Sequence, residues 1–301
     1  MPERATRRSS IAAALDEAVA QLADAGVSDP RREATTLWAG VAGPDVTRGD
    51  VWLTRDRDPA PEVAGRFWDA VGRRSRGIPF AYAVGRASFR SLDLRLDPRA
   101  LIPRPETEGL VEVVLQWARA RPAASRRAGR PSPEGVVADI GTGCGCIALS
   151  LAVEGEFERV IAVERSPDAA ALARDNVARV APPVSVEVRE GDLLAPLSDV
   201  ALCAIVSNPP YLTEAEYEGL DPAVRLFEPR EALAGGPDGL APTRALLAVG
   251  RARLGPGGII ALEIDERRAG EVRALARQYG WSGAVVSDDL FGRPRYLLAH
   301  A

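Results

Sequence analysis

At 301 residues, 46% hydrophobic and 27% charged, the chain has a globular composition and enough length for one large domain with a smaller companion. No apolar run reaches membrane-spanning length, and a formal net charge of −4 weighs against a protein whose main business is holding a polyanion. Three cysteines, Cys144, Cys146 and Cys203, without spacing to a second cluster support neither a disulfide frame nor a zinc site.

The first ten residues carry arginines but no signal-peptide apolar core or cleavage site, so a cytoplasmic protein is expected. Ile11, Leu15, Val19 and Leu22 then recur at helical spacing, and Gly26 closes the pattern. Asp29 and Pro30 read as an N-cap and first helical residue, with Glu33 in the first turn and Leu37, Trp38 and Val41 on one face. A third helix from Pro61 buries Val63, Phe67 and Val71. Residues 1–75 therefore read as a small all-α domain. It has no histidine, cysteine or glycine-rich loop, which leaves two readings open: a structural cap, or a recognition module for a macromolecular substrate.

The helical period breaks at Gly77-Ile78-Pro79. Phe89, Leu92, Leu94 and Leu96 then give the alternation of paired strands, so residues 76–100 are expected to be a β-hairpin linker and 101–301 the second domain. In Leu101-Ile102-Pro103-Arg104-Pro105-Glu106-Thr107-Glu108, Pro105 suits a first helical turn, and the glutamates sit at the favourable end of the helix dipole. That helix continues through Leu110, Val111, Val114, Leu115 and Trp117. The arginine-, serine- and proline-rich residues 119–133 cannot form a core and read as a solvated surface loop.

Residues 136–149 combine an apolar strand, the glycine turn Gly141-Thr142-Gly143-Cys144-Gly145 and a helix start, which together let a ligand approach the backbone closely. Alone this is a weak signal. It gains from a second strand, Val160 to Val163, that ends in Glu164, at about the separation where a strand-end acid meets a ribose. After a third strand at 184–188 comes Asp192, placed to reach an adenine amino group, with Leu193 to cover the ring. A fourth apolar run, 200–206, stops at Ser207-Asn208-Pro209-Pro210-Tyr211, because two prolines end ladder pairing and forbid an immediate helix. Asn208 is thereby left at the carboxyl end of a strand, with Tyr211 as a flat wall beside it. An uncharged planar nitrogen attacks a methyl group only if acceptors hold its hydrogens and turn its lone pair out of conjugation; the Asn208 side-chain oxygen and the Pro209 carbonyl are the candidates. The bland reading of the same tetrapeptide is an ordinary turn with a packed tyrosine.

A loop and turn at 227–240, a helix at 243–254, the turn Gly255-Pro256-Gly257-Gly258, a strand at 259–264, a helix at 269–279 and strands near 283–286 and 295–299 complete the chain. Repeated strand–helix alternation predicts an α/β protein with a mostly parallel sheet. The two closing strands, with no helix between them, predict an antiparallel edge hairpin.

A glycine-rich first turn, acids after the second and third strands and Asn-Pro-Pro-Tyr after the fourth resemble class I S-adenosylmethionine-dependent methyltransferases acting on nitrogen. More narrowly, the chain resembles the release-factor glutamine methyltransferases, the PrmC/HemK family. The resemblance runs through Gly77-Ile78-Pro79-x-Ala81-Tyr82-x-x-Gly85, the stretch 101–108, the Gly141 loop, Asn208 to Tyr211, Glu228-Pro229 and Asp238-Gly239-Leu240. It implies a Rossmann-like sheet behind a helical amino-terminal domain and a hairpin linker. S-adenosylmethionine would be held by Asp139, Gly141, Thr142, Gly143, Cys144, Gly145, Glu164, Asp192, Leu193 and Asn208. Asn208, Pro209, Pro210 and Tyr211 would meet the substrate, the glutamine of the Gly-Gly-Gln motif of bacterial peptide-chain release factors, with no metal involved. A monomer without stable nucleic-acid or membrane binding is expected.

There are two departures. Glu164 replaces the Asp commoner after the second strand, and Glu263-Ile264-Asp265-Glu266-Arg267-Arg268 stands where relatives often have Glu-x-Gly-x-x-Gln. The competing readings are an adenine-N6 or guanine-N2 methyltransferase on DNA or RNA, since an exocyclic amine fits the same motif, and a non-catalytic module that binds the cofactor or a partner. The acidic balance opposes the first, because base-directed enzymes usually need a basic groove, and the intact Asn-Pro-Pro-Tyr opposes the second.

Overall fold

The computed structural model describes residues 10–120 and 135–301, which divide into a compact unit ending at Arg86 and a second running from Ala87 to Ala301. The expected loop at 119–133 lies outside the described residues, apart from Arg119 and Ala120 at the end of a helix.

The first unit holds α1 (Ile11–Asp24), α2 (Pro30–Ala42), α3 (Arg48–Thr54), α4 (Pro61–Ser75) and α5 (Phe80–Val84). Asp29 caps α2 as its sequence position predicts, accepting from the Arg32 amide at 3.2 Å. Leu22, Leu37, Phe67 and Val71 are fully buried, and the Trp38 and Phe67 rings meet at 4.7 Å. Two elements depart from expectation. The seven-residue α3 is too short for a periodic signal and starts instead from the Thr47/Asp50 capping box. α5 replaces the extended segment expected after residue 76: Pro79 fixes its entry, Ala83 is buried in the helical core, and Gly85 at φ +76° closes it. The helical unit consequently runs past residue 75 to Arg86.

The hairpin β1 (Arg86–Phe89) and β2 (Leu92–Arg95) starts at the last residue of the first unit and otherwise lies in the second. Its turn residue Arg90, held at φ +50°, is fastened by ion pairs to Glu154 at 2.5 Å and Glu112 at 3.1 Å. α6 (Pro105–Ala120) follows. Then come β3 (Val136–Ile140), α7 (Cys146–Glu154), β4 (Arg159–Glu164), α8 (Pro167–Val180), β5 (Ser185–Glu190) and β6 (Leu202–Ser207). Two short helices, α9 (Glu214–Glu218) and α10 (Pro222–Phe227), precede α11 (Ala241–Gly250), β7 (Leu254–Glu263), α12 (Ala269–Gln278), β8 (Ser282–Asp288) and β9 (Pro294–His300).

The seven strands lie in the order β5-β4-β3-β6-β7-β9-β8. β5, β4, β3, β6 and β7 are parallel, and β9 runs antiparallel to both β7 and β8, forming the expected closing hairpin. β7 begins at Leu254, before the glycines predicted to form a turn; a register shift between Leu202 and Ala204 of β6 absorbs the irregular glycine segment. The chain builds outward from β3 through β4 to β5, then returns to place β6 on the other side of β3. The strand order therefore reverses between β3 and β6, where open α/β sheets bind ligands beyond the carboxyl ends of their strands. Among the described residues no helix is long and apolar enough to cross a membrane.

Candidate active site

A cleft of about 540 Å³ opens at this reversal, within the size range of small-ligand sites. One wall is the loop after β3. Gly141, Gly143 and Gly145 hold φ of +73°, +56° and +89°, a left-handed path that side chains resist. A Cβ built on Gly141 meets no atom within 4 Å, so backbone conformation rather than crowding by the protein demands glycine there. The Gly141 and Thr142 amides donate to the Val163 carbonyl at 2.9 and 3.0 Å, tying the loop to β4.

Asp139, expected at the cofactor, is wholly buried beneath this loop. It accepts from the Thr142 hydroxyl at 2.6 Å and the Ala148 amide at 3.1 Å, and burial pushes its carboxyl up to about 7. Its observed role is to bolt the loop to the start of α7. Asn176 of α8 is also fully buried and holds the far side: its amide nitrogen donates to the Cys144 carbonyl at 2.8 Å and to the Arg95 carbonyl at 3.0 Å.

The second wall carries Glu164, Asp192 and Leu193. Glu164 receives the Gly143 amide at 2.9 Å on one carboxylate oxygen and the Ser166 amide at 2.9 Å on the other. Both oxygens keep lone pairs for further donors such as ribose hydroxyls. The Gly191 amide donates to the Glu164 carbonyl at 2.9 Å, which carries the β5 turn to the cleft. Leu193 lines the cleft at φ +48°, a backbone state costing about 1 kcal/mol or more for a branched side chain. Asp192 lies exposed at the same wall.

At the centre, Ser207 ends β6 by donating its hydroxyl to the Ile140 carbonyl at 2.7 Å, locking the ends of β3 and β6 together. Asn208, Pro209 and Pro210 line the cleft. The Asn208 amide nitrogen donates to the Thr107 hydroxyl at 3.1 Å, and that hydroxyl donates to Glu263 at 2.7 Å. Glu263 ends the apolar part of β7 and is 1% exposed; burial pushes its carboxyl up to about 7, although the Thr107 bond favours the ionised form. α6 is held in place by Tyr296 of β9, whose hydroxyl donates to the Glu106 carbonyl at 2.5 Å. Gly109 makes room for that ring, since a Cβ there would lie 2.1 Å from the tyrosine oxygen.

Tyr211 is half-buried near Glu263, and its hydroxyl is pushed up to about 12 by burial and then by that carboxylate. The backbone that positions it is braced from behind. Leu212 donates to the Leu233 carbonyl at 3.0 Å and Gly235 to the Leu212 carbonyl at 2.7 Å, while a Cβ on Gly235 would lie 2.5 Å from the Pro210 carbonyl.

Two further groups join the rims. The buried Glu228 accepts from the Ile102 amide at 3.1 Å and pairs with Arg104 at 2.6 Å, linking the segment before α6 to the one after α10. At the departure after β7, Arg268 pairs with Asp265, donates to both Glu216 oxygens at 2.8 Å, and reaches the Asp238 carbonyl at 2.9 Å. The sequence there thus builds a tether between β7, α9 and the 238 turn.

The fold brings in Thr107, Asn176 and Glu263, which are not among the site candidates the sequence offers. Glu263 carries the same signal as Glu164, an acid after four apolar residues, and Thr107 sits inside the Pro-Arg-Pro-Glu-Thr-Glu motif. Asn176 falls on an ordinary helix with no local mark.

Residues 13–85 match the PrmC N-terminal domain, and residues 128–232 match the methyltransferase small domain. A protein of Moorella thermoacetica called release factor glutamine methyltransferase is 42% identical over 290 residues, spanning 95% of this chain and 97% of its own. One of the same name from Deinococcus radiodurans is 39% identical over 285 residues, spanning 95% and 96%. Among solved structures, the hMettl16 catalytic domain in complex with MAT2A 3′UTR hairpin 6 has a TM-score of 0.53 over 79% of this chain and 81% of that one. At 17% identity that likeness is one of fold.

Proposed function

This chain belongs to the release factor glutamine methyltransferase family, and from that premise we propose that the cleft between the ends of β3 and β6 is its active site. The enzyme transfers the methyl group of S-adenosylmethionine to the side-chain amide nitrogen of the glutamine in the Gly-Gly-Gln motif of bacterial peptide-chain release factors: the N–CH3 bond forms as the S–CH3 bond breaks, S-adenosylhomocysteine leaves, and the nitrogen releases one proton to solvent. When bound, the cofactor supplies a methyl carbon made electrophilic by its positive sulfur.

The residues present fit such a group. At Gly141 the loop leaves open space where a Cβ would stand, Glu164 offers carboxylate acceptors beside it, and Leu193 gives an apolar surface on the same wall. Gly141 to Gly145, Glu164, Asp192 and Leu193 hold the cofactor, with Asp139 acting through Thr142 rather than by contact. Asn208 and the Pro209 carbonyl accept the two hydrogens of the substrate amide, which frees the nitrogen lone pair from conjugation. Pro210 and Tyr211 shape the slot around the amide plane. Most of the acceleration then comes from positioning and from preorganised acceptors, which strengthen their hold as the nitrogen becomes positive. The helical unit, which has no histidine or cysteine, docks the release factor.

One observation carries the reading above the others: Asn208 stands at the strand-order reversal with its NH2 already engaged by Thr107, which turns its oxygen to the free side. The test is methyl transfer from labelled S-adenosylmethionine to purified release factor, to a variant with Gly-Gly-Ala in place of Gly-Gly-Gln, and to bulk nucleic acid in parallel. Label should enter the first alone. Label in nucleic acid that survives protease, with none in release factor, would overturn it.

A further inference from the structure

A primary amide is nearly symmetric in shape, so Asn208 can present either an oxygen or an NH2 to the cleft. Only the oxygen accepts a hydrogen from the substrate; the flipped rotamer would point two donors at a group that also needs to donate. Something must set the orientation, and packing alone barely distinguishes the two ends.

The hydrogen bonds behind Asn208 do distinguish them. The Thr107 hydroxyl has one proton, 2.7 Å from the Glu263 carboxyl, which in its ionised form is the stronger acceptor within its reach. With that proton committed, the Thr107 oxygen faces Asn208 at 3.1 Å as an acceptor only. The atom meeting it must therefore be the NH2, which places Oδ1 on the cleft side. Glu263 acts from two bonds away without being placed among the groups that touch the substrate.

Burial makes the arrangement decisive. Thr107 is 3% exposed and Glu263 1%, so water offers no substitute proton donor or acceptor along the chain. The placement of Thr107 is itself held, through the Tyr296 bond to Glu106 and the close approach at Gly109.

We infer that Thr107 and Glu263 are positioning residues, a one-way hydrogen-bond relay that fixes the Asn208 amide with its oxygen toward the substrate. The inference rests on the methyltransferase reading above for its consequence, but the relay has a readout that needs no substrate.

In full-length protein labelled with 15N at asparagine, the Asn208 side-chain NH2 should exchange slowly with solvent. Thr107→Val, which keeps the shape and removes the hydroxyl, should speed that exchange by about tenfold or more, while Thr107→Ser should preserve protection. In kinetics, Thr107→Val should lower kcat by about tenfold to hundredfold with KM and cofactor affinity within about threefold of wild type. Thr107→Ser should restore most of kcat. Glu263→Gln, which can turn a donor toward Thr107, should also lower kcat, and the double variant with Thr107→Val should be little worse than Thr107→Val alone.

A structural role confined to satisfying a buried carboxylate would lower Tm and leave kcat of the folded variants unchanged. That outcome, or equal NH2 protection in wild type and Thr107→Val, overturns the relay. Intact protection in a wild type that methylates no release factor would overturn the functional reading instead.

Discussion

The Glu164 carboxylate and the Gly143 amide meet at 2.9 Å, so the strand-end acid and the glycine loop form one binding element rather than two neighbouring ones. Glu164 therefore shapes the loop and, in the proposed cofactor site, is also the acceptor for the bound ligand. Glu164→Ala should weaken S-adenosylmethionine binding by roughly 1.5–3 kcal/mol, the scale for hydrogen bonds to a charged group. In affinity that is about a tenfold to hundredfold loss. Calorimetry showing unchanged affinity would mean that the carboxylate serves the loop alone.

Asn208→Ala removes the acceptor proposed to meet the substrate amide. If Asn208 only ended a strand, the change would cost about 0.5–1.5 kcal/mol of stability and leave turnover nearly untouched. As an acceptor whose bond strengthens in the transition state, its loss should lower kcat about a hundredfold to thousandfold at saturating cofactor. A folded, saturated variant within about threefold of wild type would remove support for amide activation.

Glu263 links stability to pH. Burial raises its carboxyl from the ordinary 4.5 to about 7, so the folded protein binds this proton more tightly than the unfolded chain does. The resulting stability is full below about pH 4.5 and is lost as pH rises through about 7. Asp139, also raised to about 7 by burial, has the same sign. Glu263→Gln should therefore gain stability over wild type on going from pH 5 to pH 8, by at most roughly 3 kcal/mol, even as its activity falls. Denaturant titrations at the two pH values check this. An identical difference at both would show that the carboxyl is ionised throughout.

Removing residues 1–85 tests the docking role of the helical unit. Cofactor affinity should stay within about threefold, while KM should rise more for whole release factor than for a short Gly-Gly-Gln peptide. Circular dichroism must first show a folded remainder. Equal losses on both substrates would count against docking.

The α/β class, the order of the strands and longer helices along the chain, and the positions of Gly141, Glu164 and Asn208 at strand ends were legible from the chain alone. Apolar runs, glycines and prolines act over a few neighbouring residues, and each motif announces its own strand end. α3, α9 and α10 were not legible, being too short for a period to show and formed by caps and prolines. The extent of the helical unit past residue 75 depended on Ala83 finding a buried place in its core, which no local pattern records. The roles within the site were least legible. Asp139 and Glu164 are both strand-end acids in the sequence, yet one is sealed under the loop and the other faces the cleft, a difference set by packing. Thr107 and Asn208 lie 101 positions apart and Thr107 and Glu263 lie 156 apart, and each is chemically ordinary in its own segment. Sequence determined which groups could do the chemistry. Tertiary structure alone decided which way the Asn208 amide points, because that direction is set by hydrogen bonds between elements that meet only in the folded chain.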